Sequence, residues 1–538
     1  MAPRRSAPLI HLLSLITAAV LAGIANPAIA FAAPPAAARA AVSAVATTPV
    51  RFVDLPGSGG VTLKANVVAP SAAGRYPAIV FPASWGLNDL EYVAQARILA
   101  GRGYVVVSYT PRGWWLSGGE IDTAGPKDMA DMSKVIDWTI ANTPADPARI
   151  GTAGISYGGG LSLLGAAFDR RIRTVAVMSG WTDLAYSLYA DSTRHRQSAG
   201  LLKIAADLLG KPGPELSGKL DDFAANRSAD QVIAWSRVRS AETYLDALNA
   251  SRPAVLIANG WGDSIFPPNQ LVDFYDRLAG PKRLELRPGD HAIAELTGVL
   301  GLDNDVWNSV YRWFDQHLAG IDTGIDGEPA VLVKPYNAAA ESYPDWPDLA
   351  ATTSRYPLGH IRGLDGTGLL GGAAETGWNK SIPTDRNTTA DGGIVLLTNG
   401  VAALTGEQPS IWLPTVDRYR AGVWASERPS APRRIRGIPK LHLELTGTAA
   451  KGTVVAYLYD LNVIGTAKLI THAPASWLTT SGGSRALDVD LSATAYDVPA
   501  GHSLTLVVDT VDPLYYDENA DGGSVTIAAG SYLDVPLR

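Results

Sequence analysis

Gly154-Ile155-Ser156-Tyr157-Gly158 sets a serine between glycines, where the apolar run Arg149–Ile155 meets the small-residue stretch Leu161–Phe168. A sharp strand-to-helix turn leaves no room for a Cβ beside such a serine, and the strained turn lifts its hydroxyl clear of the sheet edge. The helix that follows points its N-terminus at the negative charge that develops on attack. The chemistry this pattern supports is nucleophilic attack on an ester or amide carbonyl, with Ser156 as nucleophile.

A serine hydroxyl needs a base. Of the eight histidines, His11 falls in an N-terminal apolar segment and His195 in a polar helical interval. His360, His442, His472 and His502 fall in the Gly- and Thr-rich second half, which leaves His291 and His317. His291, in Arg287-Pro-Gly-Asp-His-Ala, follows the last candidate strand, where loops gather at the carboxyl edge of a sheet; His317 sits beside Trp313 and Phe314 and reads as a packing residue. The base is therefore expected at His291. An acid must orient the imidazole. Two aspartates end strands after the serine, Asp183 in Gly180-Trp-Thr-Asp and Asp263 in Gly260-Trp-Gly-Asp. Asp263 gives the chain order Ser, Asp, His and is preferred; Asp183 is a helix cap or a pocket residue. Two N–H groups must meet the oxyanion. The elbow supplies the Tyr157 amide, and the loop Pro82-Ala-Ser-Trp-Gly supplies the Trp85 amide, with the Ser84 hydroxyl as its rival.

These residues require strands that stop at one edge. Candidate strands are Val61–Ala69, Ala78–Phe81, Tyr104–Tyr109, Arg149–Ile155, Ile172–Met178, Ala254–Asn259 and Arg283–Arg287. Several are continuously apolar, as strands buried on both faces of a parallel sheet must be. Between them, Met129, Met132, Val135, Ile136 and Ile140 recur at helical spacing in Lys127–Asn142. The alternation predicts a doubly wound α/β domain over residues 51–320. Residues 184–250 interrupt it with a polar, helical, strandless interval that reads as an inserted cap. After a linker over Asp322–Pro329 the pattern becomes short alternating strands, Lys440–Thr446, Gly452–Asp460, Ala486–Leu491 and Ser503–Asp509 among them. Residues 329–538 thus read as an all-β sandwich of jelly-roll type.

Bulk composition narrows the function classes. With 538 residues, 46% hydrophobic and 18% charged, the chain is an ordinary globular protein of more than one domain. A net charge of -7 offers no basic field for nucleic acid, and no stable membrane partner is expected. Arg4 and Arg5, the apolar stretch from Leu9 to Ile24 and Ala-x-Ala sites near Ala28–Ala33 read as a signal peptide over residues 1–33, followed by an Ala- and Pro-rich leader over residues 34–50. A secreted protein is the expectation. With no cysteine, thiol nucleophiles, thiolate metal sites and disulfides are excluded. No cofactor or metal is expected: Asp517-Glu-Asn-Ala-Asp-Gly522 begins like a calcium loop, but Ala528 stands at its twelfth position.

Taken together, the elbow Gly154-Ile-Ser-Tyr-Gly-Gly, the Arg112-Gly…Ser117-Gly-Gly-Glu120 loop, Gly260-Trp-Gly-Asp263, Tyr457-Leu-Tyr-Asp-Leu and Val498-Pro-Ala-Gly-His-Ser-Leu-Thr-Leu resemble the X-prolyl dipeptidyl-peptidase and cocaine-esterase-like family. The resemblance implies an α/β-hydrolase core, a helical cap and a galactose-binding-like jelly roll. It implies cleavage of X-Pro dipeptides, or of small esters and acyl amides. Two positions depart from the family: no tyrosine follows the third strand, and Thr110-Pro-Arg-Gly stands for Asp-x-Arg-Gly. A dipeptidyl-peptidase must anchor a free α-amino group, for which Glu120, Asp183 and Glu91 are candidates. Trp85, Trp114, Trp115, Trp181 and Trp261 would suit an apolar acyl or prolyl pocket. A carbohydrate- or wall-binding protein with a vestigial hydrolase domain, and acyl transfer to an acceptor other than water, are the competing readings.

Overall fold

The computed structural model describes residues 49–362 and 365–538; the expected signal peptide and nearly all of the leader lie outside the described residues. Among these, no helix is long and apolar enough to cross a membrane. The first sheet has ten strands, β1 (Arg51–Pro56), β2 (Thr62–Val68), β3 (Tyr76–Pro82), β4 (Val105–Tyr109), β5 (Ala145–Ile155), β6 (Ile172–Met178), β7 (Ala254–Gly260), β8 (Lys282–Arg287), β9 (Val331–Val333) and β10 (Glu341–Tyr343). Their order is β1-β2-β4-β3-β5-β6-β7-β8-β9-β10. From β4 to β9 every neighbouring pair is parallel, while β1, β2 and β10 join antiparallel.

Successive residues of the parallel strands serve two cores. Val80, Val105 and Val107 pack with Met129, Met132, Val135 and Ile136 of α2 (Pro126–Asn142) and Leu161 and Leu164 of α3 (Tyr157–Phe168). Ile79, Phe81 and Val106 pack on the opposite face with Ala96 and Leu99 of α1 (Val93–Gly101). Burial on both faces removes the polar alternation, which is why these strands read as apolar runs. Five helices fill the interval between β6 and β7: α4 (Leu184–Tyr189), α5 (Arg196–Leu209), α6 (Pro214–Ala224), α7 (Ala229–Arg237) and α8 (Leu245–Ser251). After β7 come α9 (Asn269–Arg277), α10 (Leu296–Val299) and α11 (Asp305–Phe314).

The second domain is two facing sheets. One is built on Ser524–Leu537 and Lys440–Thr448, the other on Lys451–Leu461, Thr466–Leu478 and Ser503–Asp509. Leu441, Leu443, Val454, Leu458, Leu506, Ile527 and Val535 fill the space between them. Two features differ from the sequence reading. The first sheet runs past Pro329, because β9 pairs in parallel with β8 and β10 pairs with β9. A change of composition marks the linker, but strand pairing is non-local and ignores it. The β domain also contributes a helix, α12 (Thr398–Thr405), which sits against the first domain.

Candidate active site

Ser156 lies between β5 and α3 with φ 56° and ψ -121°, a conformation disfavoured for a residue with a Cβ. The strain persists because the neighbours permit nothing else. A Cβ on Gly158 would overlap the Pro82 carbonyl oxygen, and one on Gly154 would overlap the Gly158 backbone. The Ser156 amide donates to Met178 O at 2.8 Å, which anchors the turn to β6.

Three elements distant in sequence meet at this hydroxyl. His291 Nε2 lies 2.7 Å from Ser156 Oγ. Its Nδ1 lies 3.0 Å from Asp263 Oδ2 and 3.2 Å from Oδ1. Asp263 is held in turn by the amides of Ile265 and Phe266, which donate to Oδ1 at 2.9 and 2.7 Å. The loops carrying the acid and the base are tied together, since Gly262 N–H donates to Gly289 O at 3.0 Å. Burial works against a charged His291 ring, but the Asp263 carboxylate, together with Asp290 and Glu295, outweighs it and holds the imidazole above its ordinary value. The arrangement can take a proton from the serine and keep the resulting imidazolium stable.

Asp290 and Glu295 also stand near the base, and the sequence reading gave neither a role. Asp290 Oδ1 accepts from Ser264 N, Ser264 Oγ and His291 N at 2.9, 2.7 and 2.8 Å. Burial pushes its carboxyl up to about 6. Glu295 is fully buried, accepts from Ser179 Oγ at 2.9 Å, and is pushed by burial to about 7. Ser179 Oγ accepts from Ala292 N at 3.1 Å, so this pair supports the His291 loop from beneath. A buried-pattern Asp directly before the histidine was the one signal available for Asp290.

The two residues expected to donate to the oxyanion lie on segments in contact. Tyr157 opens α3, and its ring meets that of Trp85 edge-on at 5.2 Å. The Trp85 amide takes no acceptor within the described protein, while its indole Nε1 donates to Leu202 O of α5 at 2.9 Å. The rival Ser84 hydroxyl is engaged elsewhere, 2.6 Å from Glu91 Oε1 and 2.8 Å from Ile155 O.

The expected pocket residues divide. Trp181 is part of an aromatic wall: its ring lies 6.1 Å from Tyr157 and 5.1 Å from Phe266, which in turn lies 5.2 Å from His291. Trp261 is buried behind the Asp263 loop with Nε1 donating to Lys334 O at 2.7 Å. Asp183 is the N-cap of α4 and accepts from Tyr186 N at 3.0 Å, which its position just before that helix explains. Glu120, a candidate anchor for an α-amino group, is exposed, with its carboxylate against Gly213. Glu91 holds Ser84 rather than facing open space. Glu518 and Asn519 of the calcium-like loop are engaged too, Glu518 with Arg194 at 2.8 Å and Asn519 with Thr453 N at 3.0 Å.

The model of X-Pro dipeptidyl-peptidase (S15 family) matches residues 59–293, and that of the X-Pro dipeptidyl-peptidase C-terminal non-catalytic domain matches residues 323–532. Both models are of one family and together match most of the chain, which belongs to the X-Pro dipeptidyl-peptidase (S15) family of α/β-hydrolases. It is a serine hydrolase of that family. A provisionally named Xaa-Pro dipeptidyl-peptidase of Streptomyces avermitilis is 24% identical over 504 residues, 81% of this chain and 71% of the relative. Two solved structures share the whole fold: an α-amino acid ester hydrolase (TM-score 0.66, 17% identity, 95% of this chain and 98% of that one) and a CocE/NonD family hydrolase from Staphylococcus aureus (TM-score 0.69, 13% identity, 95% and 99%).

Proposed function

We propose that this family member is an exported hydrolase that cuts amide or ester bonds through an acyl-enzyme on Ser156, with peptides that begin X-Pro as its leading substrates. The hydrogen-bonded chain from Asp263 through His291 to Ser156 carries the reading. In acylation Ser156 Oγ bonds to the substrate carbonyl carbon while its proton passes to His291 Nε2. The carbonyl oxygen becomes an oxyanion facing the Tyr157 and Trp85 amides. The proton then goes from His291 to the leaving amine or alcohol as the scissile bond breaks. Water repeats the sequence on the ester, losing its proton to His291, and releases the acid. The Streptomyces relative's name supports the X-Pro choice, and the wall of Trp85, Tyr157, Trp181 and Phe266 offers an apolar face to a prolyl ring.

A second reading, carboxylesterase or acyl-amide hydrolase on small substrates, is favoured by one observation. Glu91, Asp183 and Glu120, the carboxylates expected to anchor an α-amino group, are clamped, capping or exposed. Three assays on the mature protein separate the readings: fluorophosphonate labelling, X-Pro-anilide cleavage with free and blocked N-termini, and short-chain nitrophenyl ester hydrolysis. X-Pro cleavage that needs a free amine is the expected result; ester turnover without it selects the second reading. Folded protein left unlabelled at Ser156 would remove both. The basic n-region and small-residue cleavage sites support export, and the N-terminal residue of protein recovered from culture medium tests it.

A further inference from the structure

The loop that carries the Trp85 amide is fastened to the elbow by a short chain of hydrogen bonds whose protons can be counted. Ser84 N–H donates to Glu91 Oε2 at 2.7 Å. Ser84 Oγ lies 2.6 Å from Glu91 Oε1 and 2.8 Å from the carbonyl oxygen of Ile155, the residue before the nucleophile. A carbonyl only accepts, and a serine hydroxyl has one proton to give. With Glu91 ionised, that one proton must serve two acceptors, and one close oxygen pair is left without a hydrogen between them. With Glu91 protonated every position is satisfied: Oε1–H donates to Ser84 Oγ, Ser84 O–H donates to Ile155 O, and Oε2 accepts the Ser84 amide.

We propose that Glu91 acts as a neutral carboxylic acid that positions the oxyanion loop, its proton completing the chain Glu91–Ser84–Ile155 that sets the Trp85 amide beside Ser156. The inference rests on the reading of Ser156 as nucleophile and the Trp85 amide as oxyanion donor. Glu91 forms no ion pair among the described residues; the titratable group beside it is Tyr92, whose hydroxyl favours the ionised carboxylate, and burial outweighs it. The Tyr92 hydroxyl accepts from Ile155 N at 2.9 Å and lies 3.5 Å from Ser84 Oγ, so it braces the same junction. Burial pushes Glu91 up to about 7 and holds Tyr92 well above its usual value. Beyond Ser84 the loop is held from other sides, by Trp85 Nε1 on Leu202 O and by Trp115 Nε1 on Gly86 O, both at 2.9 Å. Glu91 is thus a positioning residue; it touches neither substrate nor the reacting atoms.

The test compares Glu91→Gln, Glu91→Ala and wild type on one short-chain nitrophenyl ester between pH 6 and 9. Glutamine reproduces the neutral acid: its oxygen accepts the Ser84 amide and its NH2 donates to Ser84 Oγ. Glu91→Gln is therefore expected to keep wild-type kcat at pH 6. The ratio of its kcat to that of wild type should climb at least about threefold by pH 9, as wild-type Glu91 ionises and the amide donor slips. Glu91→Ala should lower kcat by roughly 10- to 100-fold with little change in KM, and weaken a boronic acid mimic of the oxyanion in parallel. Equal losses in Gln and Ala variants, or superimposed pH profiles of Gln variant and wild type, would overturn the inference. If Glu91→Ala does not fold, the Gln profile alone decides. Wild-type protein that turns over neither ester nor X-Pro-anilide sinks the functional reading itself, which is a distinct result.

Discussion

At His291, burial and the carboxylates of Asp263, Asp290 and Glu295 pull in opposite directions, and the carboxylates prevail. Only a neutral ring can accept the Ser156 proton, so kcat/KM should rise with pH through the His291 titration. Its midpoint is expected above the ordinary imidazole value of 6.5, read from the acid limb of the pH–rate profile. Asp263→Asn keeps the shape of the acid but cannot stabilise the imidazolium. It should lower kcat by about 10⁴-fold and move that limb to lower pH. His291→Ala should cost on the order of 10⁵-fold while leaving KM nearly unchanged. A base at any other histidine would leave His291→Ala close to wild type. Ser156 and His291 were legible in the sequence because a motif and an elimination define them. Asp290, Glu295 and the clamp on Ser84 were not, because a buried carboxylate is distinguished by what faces it rather than by its neighbours in the chain.

The elbow is an element-scale device. Gly158 approaches β3 so closely that a methyl group would overlap the Pro82 carbonyl, and Gly160 lies against the Trp181 ring. Gly158→Ala should push α3 away from β3, lower stability by about 1–3 kcal/mol and abolish fluorophosphonate labelling. Thermal melting and gel labelling of one preparation check both effects; a stable, fully labelled variant would show that the close approach is not required. Strands β2 to β8 lie within a few residues of the apolar runs that predict them. Two-face burial makes such runs continuous, and Gly and Pro end them. Strands β1, β9 and β10 were not foreseen: β9 and β10 span three residues each, too few for a period, and β1 is a mostly exposed edge strand with no apolar run.

Across the whole molecule, the β domain bears on the site through several contacts. Asn399 of α12 donates to Gly262 O at 3.0 Å and Leu396 N to Ser264 Oγ at 3.1 Å, both on the loop of the triad acid. On the cap side, Arg194 and Glu518 form a buried pair at 2.8 Å, with Asn226 also donating to Glu518 and the Arg194 guanidinium 4.4 Å from the Tyr516 ring centre. Glu518→Ala leaves Arg194 buried without its partner and should cost about 3–5 kcal/mol. The expected readout is a lower unfolding midpoint in guanidinium, largely restored in a double variant with Arg194→Met. An unchanged midpoint in Glu518→Ala would mean the cap is held by other contacts alone.

By itself the sequence determined the elbow that holds Ser156, the α/β domain with its helical insertion, and the family resemblance. Each of these is written in local spacing: glycines at a tight turn, apolar residues at strand or helix period, a histidine after a strand. Only the tertiary structure set Asp263 rather than Asp183 against His291, engaged the Ser84 hydroxyl with Glu91 and Ile155, and made Asp183 the cap of α4. Those outcomes depend on which groups face one another once the chain is folded, as Asp263 and His291 do across 28 residues and Ser84 and Ile155 across 71. Partners, burial and proton counts at such meetings follow from packing in three dimensions.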